Sequence, residues 1–191
     1  GGPGRGGAAG WRAGGAGGRQ AGGGVPGGGV ERVPGMVPGA AHEIVIGHRL
    51  AHLAGPALRR SGASDTVVRV TEPNVGKAHA DQVLEALREA GFAPALFSVP
   101  VGEAAKHMDE LARLYEYLAA LRLDRDGALI ALGGGAAGDL TGFAAASWLR
   151  GVRYVHIPTT PLVLGDGRSG RRTGTDLATG RNLGGSVPHP P

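Results

Sequence analysis

Cysteine is absent from the 191 residues, which excludes a disulfide framework and any thiolate metal site. Aromatics are scarce: two tryptophans, three tyrosines and three phenylalanines. A nucleic-acid surface wants a basic stripe interleaved with stacking rings. Here the arginines are spread along the chain and the formal net charge is only +4, so no nucleic-acid partner is expected. No apolar run approaches the roughly 20 residues of a membrane-spanning helix, and the N-terminus lacks the apolar core of a secretory signal. The expectation is a soluble, cytoplasmic protein with no membrane partner.

Glycine is in excess. Of 38 glycines, 18 fall within residues 1–39. That stretch has few bulky apolar residues to offset the entropy of ordering it, so it is expected to be a disordered extension. Gly4-Arg5-Gly6-Gly7 within it reads as inert low-complexity sequence more than as an RNA contact. From residue 40 the pattern changes. Short apolar or β-branched runs at 43–46, 66–70, 95–99, 128–132 and 154–157 alternate with helical spacing at 50–58, 80–90, 108–121 and 140–148. Gly55-Pro56 is expected to interrupt the first helix, Gly91 to close the second, and Leu140, Phe143, Ala144, Ser147 and Trp148 to give the last an amphipathic face. Strands alternating with helices predict an α/β fold, a Rossmann-like parallel sheet with crossover helices over residues 40–160. Residues 161–191, rich in glycine, proline and arginine, show little periodicity and are expected to be loop-like.

In a parallel sheet ligands gather at the carboxyl ends of strands. The best-marked strand end is Gly127–Asp139, where an apolar run meets Gly133, Gly134 and Gly135, then Gly138 and Asp139, then a helix. Strand, glycine turn and helix N-terminus present backbone N–H groups to a phosphate. Gly133-x-Gly135-x-x-Gly138 satisfies the dinucleotide pattern, but the acidic residue expected about 20 positions on is missing. On spacing alone a tight structural turn remains open. Glu103 and Lys106 follow the strand at 95–99, where they either hold a ribose or phosphate or start a helix. Asp139 either orients a ligand hydroxyl or favours the helix N-terminus. Thr159-Thr160 offers two hydroxyls at another strand end. The seven histidines show no metal-ligand spacing.

The stretch 131–160, ALGGGAAGDLTGFAAASWLRGVRYVHIPTT, resembles the dinucleotide-binding region of the 3-dehydroquinate synthases. The resemblance extends to Asp124-Arg125, to Glu72-Pro73-Asn74-Val75, to Ala90-Gly91-Phe92 and to Pro100-Val101-Gly102-Glu103-Ala104-Ala105-Lys106, and runs from near His42 to Thr160. It implies a dehydroquinate synthase-like N-terminal domain that binds NAD. It also implies a divalent metal, zinc or cobalt, and conversion of 3-deoxy-D-arabino-heptulosonate 7-phosphate to 3-dehydroquinate and phosphate. A lyase of the shikimate route to aromatic amino acids is the implied activity, the sugar phosphate its partner and a homodimer its candidate assembly.

Carried over by position, the cofactor-binding residues are Val101, Gly102, Glu103, Lys106, Gly135, Ala136, Ala137, Gly138, Asp139, Thr159, Thr160, Arg172 and Arg181. Asp166, Arg172 and Asn182 are the implied catalytic residues. The family usually has aspartate at Val101 and at Glu72, and lysine at Arg172 and Arg181. Arginine keeps the charge and binds phosphate but cannot serve as a neutral base. The family's helical second domain, with its metal ligands, has no counterpart in these residues. The expectation is therefore a truncated chain, inactive alone. A non-catalytic NAD-binding remnant and a sister sugar-phosphate cyclase stay open beside it.

Overall fold

The computed structural model describes residues 30–37, 40–47, 49–75, 77–159, 173–177 and 180–186. Its centre is a four-stranded parallel sheet in the order β4-β3-β5-β6. The strands are β3 (Val67–Thr71), β4 (Ala95–Ser98), β5 (Ala128–Gly133) and β6 (Arg153–Pro158). Helix α2 (Lys77–Glu89) crosses from β3 to β4, α3 (Met108–Ala120) from β4 to β5, and α4 (Gly135–Ser147) from β5 to β6. The expected α/β architecture is thus present.

The two faces follow from strand alternation. Val68, Val70, Phe97 and Leu129 meet Leu111, Leu114 and Leu118 of α3 and Leu140 and Ala144 of α4. On the opposite face Val67, Ile130 and Leu132 pack with Val83 and Leu87 of α2 and with Leu58 of α1 (Ala54–Arg60). Every residue of β3 and of β5 is buried, as central strands covered on both sides must be. Arg69 is the charged exception, its guanidinium donating to the Ala80 carbonyl of α2 at 2.7 Å.

Helix α2 ends as Gly91 predicts. Gly91 has φ 81°, its N–H donates to the Arg88 carbonyl at 2.8 Å and the Phe92 N–H to Leu87 at 2.9 Å, a Schellman closure. Two expectations need correction. Gly55-Pro56 does not break a helix: a 3-10 turn at Leu50–Leu53 leads into α1, where both residues stand in the first turn, which tolerates proline. Gly55 is needed there because a Cβ would run into the Ala86 carbonyl oxygen of α2. Helix α4 starts at Gly135, five residues before the first position of its apolar spacing, and it is not amphipathic: Ala136, Ala137, Leu140, Thr141, Ala144 and Ala145 are buried around its circumference. Of the stretch expected to be disordered, residues 1–29, 38 and 39 lie outside the described residues; β1 (Glu31–Val37) pairs antiparallel with β2 (Ala40–Ile46) in a ribbon that accepts Pro34 because it has no central strand. Of the end expected to be loop-like, residues 161–172, 178–179 and 187–191 lie outside the described residues, and β7 (Thr173–Leu177) pairs with β8 (Gly180–Ser186) in a second ribbon. Backbone pairing carries both, and side-chain periodicity does not report it.

Helix α3 closes by the same Schellman pattern as α2, but with Arg122 at φ 53° where glycine would sit. The Arg122 and Leu123 N–H groups reach Ala119 and Leu118, each at 3.0 Å. A left-handed non-glycine residue costs about 1 kcal/mol. Arg122→Gly should therefore raise stability by up to about 1 kcal/mol, less what glycine adds to the freedom of the unfolded chain; urea denaturation with a midpoint no higher than wild type would contradict this.

Candidate functional site

The chain leaves β3 toward β4 on one side and then fills β5 and β6 on the other. The order reverses between β3 and β5, and the crevice outside their carboxyl ends is where such sheets bind ligands. That edge is laced together. The Val99 N–H donates to Thr71 O and the Thr159 N–H to Gly133 O, both at 3.0 Å. The Thr71 hydroxyl donates across the reversal point to Leu132 O at 2.8 Å.

The glycine turn lies on this edge. Gly134 is the N-cap of α4, extended at φ −78° and ψ −169°, and no side chain caps the helix. The first bond of the helix runs from the Gly138 N–H to Gly134 O at 3.1 Å. The N–H groups of Gly135, Ala136 and Ala137 thus precede it, and an anion at the helix end meets them and the positive end of the helix dipole. The two alanine side chains are buried in the core, so these residues act through backbone alone. A Cβ at Gly133 would sit 3.1 Å from the Ala137 Cβ and 3.8 Å from Glu72 Oε1. A carboxylate therefore flanks the turn from β3, although none follows it in sequence.

Lys106 arrives from the far side of β3. It ends a 3-10 turn, Gly102–Lys106, whose first residue has φ 71° with open space around it; glycine is required there by conformation, not by crowding. Lys106 Nζ lies 2.8 Å from Asp139 Oδ2 and 3.7 Å from Glu103 Oε1. The lysine side chain is 10% exposed and Asp139 28%, so this pair is largely withdrawn from water. It ties the turn after β4 to the first turns of α4.

Beneath α4, β6 presents Tyr154 and His156. The Tyr154 hydroxyl donates to Gly138 O at 2.9 Å. Burial, reinforced by Asp139, raises the phenol well above its ordinary range, and it stays protonated. The His156 ring fills the notch left by Gly138, where a Cβ would be 2.6 Å from Cε1. The third glycine of the motif therefore serves close helix–strand packing.

A family model described as 3-dehydroquinate synthase N-terminal matches residues 96–191. The chain belongs to the 3-dehydroquinate synthase family. The 3-dehydroquinate synthase of Synechococcus sp. is 40% identical over 161 residues, which are 83% of this chain and 44% of that protein. The chain spans less than half the length of the curated relatives it matches. Among solved structures, a 2-deoxy-scyllo-inosose synthase aligns with TM-score 0.72 at 23% identity, over 84% of this chain and 45% of that one. The 2-epi-5-epi-valiolone synthase of Streptomyces hygroscopicus subsp. jinggangensis, solved with NAD+ and Zn2+ bound, aligns with TM-score 0.62 at 28% identity, over 74% and 39%.

Against the residues expected from the 3-dehydroquinate synthase family, the structure brings Glu103, Lys106, Gly135–Asp139 and Thr159 to one edge of the sheet. Val101 lies there with its side chain 51% exposed. Asp166, Arg172 and Thr160 lie outside the described residues, and Arg181 and Asn182 fall on β8, of which the backbone alone is described. Sequence reasoning missed Thr71 and the placement of Glu72 and His156. Their neighbours are more than 60 positions away for Thr71 and Glu72, and periodicity has no access to such pairs.

Gly138→Ala should cost about 1–3 kcal/mol by overpacking against His156; unchanged urea stability would show that the notch is not tight. Burial also lowers the His156 pKa from its usual value, against the opposing effect of a backbone hydrogen bond at Gly133. The unfolded imidazole, near 6.5, thus takes its proton before the folded one does. Stability should be fully present above that value and fall as pH drops through it, and a flat stability profile between neutral and mildly acidic pH would contradict this.

Proposed function

We propose that this chain provides the NAD-binding wall of a 3-dehydroquinate synthase acting on a seven-carbon sugar-acid phosphate. The observation that carries the reading is the uncapped N-terminus of α4 at the reversal point of the sheet, with a buried lysine held beside it. A dinucleotide fits this edge: Gly133 leaves the backbone open, the N–H groups of Gly135, Ala136 and Ala137 take the pyrophosphate oxygens, and Lys106 adds a full positive charge. Asp139 holds that charge in place. Glu72 and Glu103 stand where ribose hydroxyls can donate to them, and Thr159 extends the edge past β6. Thr160, Asp166, Arg172, Arg181 and Asn182 are carried over from the family resemblance as further site residues, the two arginines as phosphate ligands at positions the family fills with lysine.

When bound, NAD supplies a reversible hydride acceptor for a substrate hydroxyl. The relative solved with NAD+ and Zn2+ supports the cofactor assignment. The metal is a different matter: among the described residues no group of three histidine, aspartate or glutamate side chains could hold one, and no metal step is assigned to them. The 40% identity to a 3-dehydroquinate synthase favours that substrate over those of the sister cyclases, which align at lower identity.

Calorimetric titration of the full chain with NAD should give saturable heat, and Lys106→Ala should weaken binding by about tenfold or more, the loss of one charge-assisted contact. No heat at millimolar NAD, or an unchanged affinity in Lys106→Ala, would overturn the assignment.

A further inference from the structure

His156 packs against the glycine turn at Gly138. A Cβ at Gly138 would lie 2.6 Å from its Cε1, 2.8 Å from Nε2 and 3.2 Å from Nδ1, so the ring rests against the helix backbone. Tyr154 stacks behind it, with ring centroids 6.2 Å apart and planes at 29°. Nε2 is buried and has no hydrogen-bond partner among the described residues.

We propose that His156 is the positioning residue of the dinucleotide turn: its neutral ring props the first turn of α4 at Gly138 in the anion-accepting shape, and a proton on Nε2 withdraws that support. This rests on the NAD reading of the site. A second ring proton would create an N–H aimed at Gly138, where no acceptor waits, and a buried donor left unbonded is costly. The charges around the ring give little relief. Asp139 on α4 is engaged with Lys106 from the turn after β4, Tyr154 on the same strand already donates to Gly138 O, and Glu72 lies on the far side of Gly133. Strand β5, Ala128–Gly133, contributes only apolar residues. The protonated ring must turn out of the notch, and the first turn of α4 loses its backing.

The expected result is an NAD affinity that is constant from neutral pH upward and falls on acidification, by up to about tenfold per pH unit below the midpoint of the ring. Calorimetry with NAD on the full chain, near neutral pH and about two units lower, tests this in wild type and in His156→Gln, which keeps a donor and an acceptor but does not titrate. His156→Gln should bind NAD at neutral pH within a few-fold of wild type and lose the steep acid limb. Binding at neutral pH with the same acid limb in both proteins overturns the positioning role and leaves the NAD assignment standing. No binding by wild type at neutral pH overturns both. Proton NMR of the His156 ring in wild type gives an independent check that needs no variant: its titration midpoint should coincide with the midpoint of the affinity loss, and a separation of about a unit or more overturns the proposal.

Discussion

The seating of α4 on the sheet is the constraint on which the rest of the site depends. A helix can lie this close to β5 and β6 only where two side chains are missing. Gly133 admits Ala137, and Gly138 admits the ring of His156. Both omissions belong to one six-residue segment, so strand end, turn and first helical turn are fixed together. The conformational freedom of glycine is secondary here, since neither residue has a positive φ among the described backbone. What matters is volume. The same closeness brings the Gly138 carbonyl within reach of the Tyr154 hydroxyl, so the first turns of α4 are held by a hydrogen bond as well as by packing.

Lys106 and Asp139 follow from that placement. Helix α4 is lined with buried alanine, glycine and leucine, and it lies between the sheet, α3 and β7. A helix apolar on all sides is a buried helix, and its one carboxylate would be costly there unless paired. The partner comes from a turn on the opposite flank of β3, so the pair spans the reversal point of the sheet. Removing one member of a largely buried pair leaves the other uncompensated. The bridge therefore constrains two loops that the strands alone would leave independent.

Much of this fold is legible in the sequence, and the reason is local. β-Branched runs such as Thr66–Val70 and apolar positions at helical spacing such as Leu111, Leu114 and Leu118 report burial through periods of two and near four. Gly91 announces its Schellman closure because it adopts cheaply the left-handed conformation that costs other residues. The failures are equally physical. Helix α4 has no polar face, so its periodicity is faint and its start is hidden in glycine and alanine. The ribbon β7–β8 is built on backbone pairing through glycine-rich sequence, which carries no alternation to read, and in β1–β2 the run at 43–46 is the legible part. The sequence has no acidic residue about 20 positions after the turn, where ordinary dinucleotide folds carry one, and the carboxylate that does lie near the turn, Glu72, comes from the end of the neighbouring strand. The site was thus legible as a strip of backbone and invisible as a set of contacts.

The pairing of Lys106 with Asp139 bears on how an anion would be held. If Asp139 simply neutralised the lysine, the helix dipole alone would remain to attract a pyrophosphate, and a dipole end is worth only about 0.3–1 kcal/mol at an exposed site. An ammonium has three donors, however, and Asp139 takes its contact from the α4 side. On the proposed reading a phosphate oxygen would meet an ammonium that Asp139 aims. The carboxylate costs some net charge but removes the rotamer freedom of a long side chain, a loss of up to about 2 kcal/mol that would otherwise fall on binding. On that balance the ion pair would prepare the site for an anion, and the half-buried position of Asp139 on an otherwise apolar helix would have a functional reason as well as a structural cost.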